Sequence, residues 1–127
     1  MTRSTIAWLF RIAAFYDGVL GLAFLFVWRH VFSYFGITPP NHPGYVRFPA
    51  LLLIIFAGLF LQIARDPVRN RDLIAYGIAL KIAYSGTVFW HHLTGGVPEM
   101  WLWPAWLDLG FLVLFVLAWR SLRRASA

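Results

Sequence analysis

Four apolar stretches, at about 6–28, 48–64, 73–93 and 101–119, fill most of this 127-residue chain and restrict its fold more than any other feature. A helix that crosses the hydrocarbon core of a bilayer needs about 17–25 mostly apolar residues, and each stretch meets or nearly meets that length. A water-soluble chain this short has too small an interior to hide so much apolar surface. Its residues are 61% hydrophobic, 19% aromatic and only 13% charged. The expectation is an all-α integral membrane four-helix bundle, antiparallel and up-down, forming a single transmembrane domain over residues 1–127.

The formal charge of +6 reads as a topology signal. Arg3 precedes the first stretch, Arg65, Arg69 and Arg71 fill the link between the second and third, and Arg120, Arg123 and Arg124 follow the fourth. The opposite side carries only Arg29 and Arg47. The positive-inside rule then places both termini in the cytoplasm, N-in and C-in, with the basic surface against anionic headgroups. A nucleic-acid partner is not expected, since no basic groove or motif accompanies the charge. The chain has no cysteine, which removes thiolate catalysis, disulfide exchange, iron–sulfur ligation and cysteine-based zinc sites. No small-x-small cleavage pattern follows the first stretch, so it reads as a retained helix.

Local signals divide the chain consistently. Gly18 and Gly21 permit a close helix approach in the first stretch. The run Val31–Gly36 is amphipathic enough for a short interfacial helix, and Thr38–Gly44 is a turn. Pro49 suits the first turn of the second helix, and Asp66-Pro67 ends it. That helix carries no charge and reads as a packing or lipid-facing element. Trp8 and Trp119 fall at the cytoplasmic interface, and Trp28, Trp90, Trp101, Trp103 and Trp106 at or near the outer one.

Three stretches carry an ionisable residue near the middle: Asp17, Lys81 and Asp108. A charge at the bilayer centre costs roughly 2.5–3.5 kcal/mol on the translocon-insertion scale, so such groups face the bundle interior and pair. At 1.5 Å per helical residue, Asp17 and Asp108 lie roughly 16 Å from the cytoplasmic ends and Lys81 roughly 12 Å. The three therefore share a layer. Lys81, Tyr84, Ser85, Val88 and His92 follow one helical stripe, as do Asp17, Gly21, Phe24 and Trp28. Tyr84 is expected to donate a hydrogen bond to the layer, and His92 and Trp90 are placed at the mouth of an interior cavity. If all three are ionised, two carboxylates beside one ammonium carry a net charge of −1, which in a low-dielectric layer favours protonating one carboxylate or binding a cationic or proton-donating ligand.

The same residues support a structural ion-pair lock, a ligand or proton site, or pairing with another subunit. The four histidines, His30, His42, His91 and His92, fall near Glu99 on the outer side, but adjacent His91 and His92 point about 100° apart. No metal site and no catalytic residue are assigned. The cofactor is left unknown, with quinone and haem open. The preferred function is non-enzymatic: binding of a small lipophilic ligand, or support of a membrane partner complex or homo-oligomer. The competing classes are a membrane enzyme or redox subunit acting on a lipid, sterol-like or quinone substrate, and a proton-coupled small transporter subunit.

The four-span layout, with Arg11-Ile12 near the start of a first helix that then carries Gly18 and Gly21, resembles the DoxX-like family of small bacterial membrane proteins. The resemblance covers the whole chain in layout. It implies a four-helix bundle in a bacterial inner membrane, associated with redox enzymes or quinones. A looser similarity in residue type, through Asp17, Asp108 and the aromatics Tyr16, Tyr84, Phe89, Trp90 and Trp106, is to sterol-isomerase-like membrane proteins. That similarity implies acidic residues in an aromatic-lined cavity.

Overall fold

The computed structural model describes residues 1–126, with side-chain surroundings through Arg123. Five helices follow one another: α1 (Arg3–Phe26), α2 (Trp28–Tyr34), α3 (Gly44–Arg65), α4 (Ile74–Thr94) and α5 (Glu99–Ser126). A 3-10 turn, Arg71–Leu73, leads into α4, and no strand occurs among the described residues. The helices α1, α3, α4 (with its 3-10 turn) and α5 are each long and apolar enough to cross a membrane. They extend past the hydropathic stretches at most ends, because capping residues and polar turns continue a helix beyond its apolar part. At the start of α1, for example, Thr2 Oγ1 accepts the Thr5 N–H at 3.1 Å and satisfies a first-turn donor.

Two boundaries differ from the sequence expectation. The first helix stops at Phe26, not Trp28, because Val27 leaves helical geometry (φ −123°, ψ 25°) while its N–H still reaches the Ala23 carbonyl at 2.8 Å. The short helix therefore begins at Trp28, three residues before the amphipathic run. It ends at Tyr34 and is closed two residues on by Gly36, whose φ of +66° permits the paired bonds Gly36 N–H to Ser33 O (3.1 Å) and Ile37 N–H to Phe32 O (2.9 Å). The second difference is Pro49, which lies a turn inside α3 because that helix already starts at Gly44. Lacking an N–H, Pro49 leaves the Tyr45 carbonyl without its helical donor, and Pro104 in α5 does the same to Met100.

Packing divides the helices into two close pairs, α1 with α3 and α4 with α5, which touch each other far less. The approach of α1 to α3 depends on Gly21, where an added Cβ would lie 2.8 Å from the Ala50 carbonyl oxygen and 2.9 Å from Ile54 Cγ1. The uncharged helix α3 is thus the principal packing partner of α1, while Leu51, Leu52 and Ile55 leave its other face exposed.

Two apolar cores result. At the end carrying both termini, where the Met1 ammonium donates to Ser121 Oγ at 3.3 Å, the fully buried Phe10, Phe60 and Phe115 interlock with Ile6, Ile63 and Ile74. The Phe10 and Phe115 rings stack with centroids 4.5 Å apart. At the α2 end, Phe24, Trp28 and Phe32 gather around Val46, Ala50 and Met100, and Phe24 stacks on Trp101 at 5.7 Å. Trp28 and Trp101 therefore turn inward into this core instead of joining the exposed Trp90, Trp103 and Trp106. Their rings contribute more by filling the space between α1, α2 and α5 than they could on an outer face.

The 66–70 link closes α3 with side chains. Asp66 Oδ1 accepts the Arg69 N–H at 3.1 Å, and Asn70 Nδ2 donates to the Gln62 and Asp66 carbonyls at 2.9 and 3.1 Å. Arg71 then reaches across to α5, donating from Nε to the Trp119 carbonyl at 3.2 Å with its guanidinium 4.1 Å from the Trp119 ring centre.

Candidate functional site

Asp17 on α1, Lys81 on α4 and Asp108 on α5 meet between the two apolar cores. Lys81 Nζ donates to Asp17 Oδ1 at 3.1 Å, to Asp17 Oδ2 at 3.2 Å and to Asp108 Oδ1 at 3.0 Å. Lys81 and Asp17 are 0% and 1% exposed, so both ions are fully withdrawn from solvent. Three acceptor oxygens saturate the three N–H bonds of the ammonium. The ring centres of Phe111, Tyr16 and Phe60 lie 5.2, 5.6 and 5.6 Å from Nζ, adding the attraction of aromatic faces for a cation.

Helical periodicity places these groups. Asp17, Gly21 and Phe24 are buried on one stripe of α1, and Lys81, Ser85 and Val88 on one stripe of α4. The Ser85 hydroxyl donates back to the Lys81 carbonyl, so it adds no donor to the layer. His92, at the end of the α4 stripe, is exposed.

Tyr84 does not donate to the layer. Its hydroxyl donates to the Trp101 carbonyl at 2.8 Å, in the first turns of α5. Tyr84 follows Lys81 by three residues, a rise of roughly 4.5 Å toward the α2 end, and its long side chain continues in that direction. We expect Tyr84→Phe to lower stability by about 1 kcal/mol through loss of this bond. Unfolding of the purified chain in mixed micelles checks it, and an unchanged midpoint would show that the bond contributes nothing.

A cavity of about 190 Å³ opens directly against the two carboxylates. Asp17 and Asp108 form its polar end, Leu20 and Phe24 of α1 and Val46, Ala50 and Leu53 of α3 form its apolar wall, and Leu80, Tyr84, Trp101 and Pro104 close it from α4 and α5. Tyr45, Pro49 and Leu52 also line it and are exposed, so its open side runs along α3, where α3 and α4 barely touch.

The cavity mouth is therefore built by Tyr45, Pro49 and Leu52, not by His92 and Trp90, which are exposed and do not border it. The expected aromatic lining is also different. Of Tyr16, Tyr84, Phe89, Trp90 and Trp106, only Tyr84 lines the cavity. Phe89 and Trp106 pack on one another at 4.9 Å, and Tyr16 packs on Phe111 at 5.5 Å. The histidines do not converge: His42 Nδ1 accepts the Gly44 N–H at 2.9 Å, and no group of three or more His, Asp or Glu side chains able to hold a metal forms among the described residues.

Sequence reasoning missed the α3 wall because that helix carries no charge. The available signals were Pro49 one turn into an apolar helix and Ala50 as the small residue that receives Gly21.

Fold and site together define a small all-helical protein with four helices able to span a membrane and a buried Asp–Lys–Asp ion layer beside an apolar cavity. Comparison with protein-family models, with curated proteins and with solved structures returns no match for this chain.

Proposed function

We propose that this chain is a four-span, antiparallel up-down bundle of a bacterial inner membrane, with both termini and the basic 65–71 link cytoplasmic, and that its cavity holds a small lipophilic ligand. One observation carries the reading: apolar walls from α1, α3, α4 and α5 converge on Asp17 and Asp108. A concave, mostly apolar site with a few converging polar groups is the usual form of a small-molecule pocket. The open side along α3 faces the hydrocarbon in this orientation, so a lipophilic molecule reaches the cavity laterally. The DoxX-like resemblance rests on the same four-span layout and adds no residue to the site.

A second reading has its own support. Lys81 is saturated by three carboxylate oxygens, which is what an ion-pair lock joining α1 to the α4–α5 pair requires. Native mass spectrometry of the chain extracted in a mild detergent tests the first reading. We expect a small molecule to co-purify with the wild type and to be lost from Leu20→Trp, which fills the cavity without touching the ions. Retention of the same bound mass by Leu20→Trp would overturn the assignment to this cavity.

A further inference from the structure

A second concavity, of about 520 Å³, lies where α3 turns into the 66–70 link, at the end of the bundle that carries both termini. It has an apolar half and a polar half. Gly58 and Leu61, both exposed on α3, form a strip that leads to a rim built by Gln62, Arg65, Asp66, Arg69 and Asn70. Gly58 precedes Arg65 by seven residues, so the strip runs roughly 10 Å from the rim toward the middle of the span. Nothing fills it: a Cβ added at Gly58 would meet no atom within 4 Å. Neither the Arg65 nor the Arg69 guanidinium is held by an ion pair or a hydrogen bond among the described residues.

The acceptors of the rim are partly engaged within the chain. Asp66 Oδ1 accepts the Arg69 backbone N–H at 3.1 Å, and Asn70 Nδ2 covers the Gln62 and Asp66 carbonyls at 2.9 and 3.1 Å. Asp66 brings one negative charge and the C-terminus of α3 about half of another, so two guanidinium groups leave the concavity positive. We infer that it holds one anionic phospholipid, with the phosphodiester on Arg65 and Arg69 and an acyl chain along Leu61 and over Gly58. The inference rests on α3 crossing a bilayer and is independent of the cavity beside the ion layer. Forked N–H donors match phosphate oxygens, and the Gln62 amide, which both donates and accepts, suits a head-group hydroxyl. A free phosphate would use the rim alone and leave the strip empty. The ammonium of a zwitterionic lipid would enter a site that is already positive.

The test titrates the full chain, purified in a non-ionic detergent, with dioleoyl phosphatidylglycerol, phosphatidylethanolamine and phosphatidylcholine. Native mass spectrometry measures the fraction of protein that carries one lipid. We expect phosphatidylglycerol to bind about tenfold more tightly than either zwitterionic lipid, the scale of charge-assisted over neutral hydrogen bonding. The pair Arg65→Gln, Arg69→Gln should bring the three lipids level. The control pair Arg3→Gln, Arg120→Gln removes the same charge from exposed positions at the same end, outside the concavity, and should leave the preference intact. Gly58→Leu places a side chain in the open strip and should weaken phosphatidylglycerol by about tenfold, to the level of the Arg65, Arg69 pair. Inorganic phosphate at equal concentration should not displace the lipid.

Equal binding of the three lipids by the wild type overturns the inference, and phosphatidylethanolamine bound as tightly as phosphatidylglycerol overturns the anionic head group. A control pair that loses the preference as fully as the Arg65, Arg69 pair also overturns it, since the effect is then one of general surface charge. Displacement by inorganic phosphate overturns the lipid in favour of a phosphate site, and indifference to Gly58→Leu removes the acyl chain from the strip. Should the Arg65, Arg69 pair not fold, the order of the three lipids on the wild type and on the control pair decides the matter. A chain that stays soluble and monomeric without detergent overturns the membrane reading itself, a separate outcome from any of these.

Discussion

Replacing Lys81 with methionine is expected to destabilise the folded chain more than any other single substitution in the layer, by about 3–5 kcal/mol. The change leaves two carboxylates facing one another, Asp17 at 1% and Asp108 at 6% residue exposure, with no ammonium between them. Tyr84 and Ser85 do not compensate, because Tyr84 is bonded to Trp101 and Ser85 to the Lys81 carbonyl, and the unpartnered Tyr16 hydroxyl offers at most one neutral donor for two carboxylates. Neutralising one acid costs less, since Lys81 keeps the other. Asp17→Asn is expected to cost more than Asp108→Asn, because Asp17 accepts through both oxygens and links α1 to the α4–α5 pair, whereas Asp108 lies on α5, next to α4.

The triple change Asp17→Asn, Lys81→Met, Asp108→Asn should recover most of the loss, as a neutral set carries no uncompensated charge. Unfolding of the four variants in mixed micelles, followed by circular dichroism, measures the series. A Lys81→Met protein as stable as wild type would show that the carboxylates are not held by the ammonium. A triple variant as unstable as Lys81→Met would show that packing of the side chains, not charge, dominates the layer.

Gly21→Ala is the second large effect expected, at about 1–3 kcal/mol, the usual cost of overpacking a close-packed interior. The new methyl would stand 2.8 Å from the Ala50 carbonyl oxygen, 2.9 Å from Ile54 Cγ1 and 3.2 Å from Leu53 Cβ. The nearest atom belongs to backbone, so the contact is relieved only by moving α3 away from α1. Ala50 and Leu53 also wall the cavity, so ligand affinity should change together with stability.

Other glycines supply the control. Gly86 and Gly110 have open space where a Cβ would go, so Gly86→Ala and Gly110→Ala are expected to be neutral or mildly stabilising. Gly77→Ala should fall between the two groups: its nearest contact, at 2.8 Å, is the edge of the Phe60 ring, which can tilt. Equal midpoints across the four variants would rule out helix approach as the cause.

These two predictions correspond to features of different legibility. The Asp–Lys–Asp layer follows from the chain itself. Helical rise sets the depth of Asp17, Lys81 and Asp108, periodicity sets their faces, and the cost of an unpaired charge in hydrocarbon demands that they meet. The buried stripes through Asp17, Gly21 and Phe24 and through Lys81, Ser85 and Val88 agree with that logic. Gly21 was legible as a point of close approach, but Ala50 as its partner was not, because the choice of neighbour depends on how whole helix faces fit.

Tyr84 shows why donor assignments fail at sequence level. Three residues of rise and a long side chain carried its hydroxyl past the ions to a carbonyl on another helix. The mouth of the cavity and its α3 wall escaped notice for a similar reason. Its open edge is Tyr45, Pro49 and Leu52, residues of the helix without charges, while His92 and Trp90 extend the expected stripe into exposed positions.

What the sequence by itself determined is the local part: four apolar helices, their breaks, and one shared depth for three ionisable groups. Hydropathy, rise per residue and the penalty on buried charge act along the chain and need no knowledge of neighbours. What only the tertiary structure decided is the pairing of α1 with α3 and of α4 with α5, the cavity left between those pairs, and the wall that α3 lends to it. Helix packing depends on small differences in shape among many apolar side chains, all of them equally at home in hydrocarbon, so no pattern along the chain marks which faces meet.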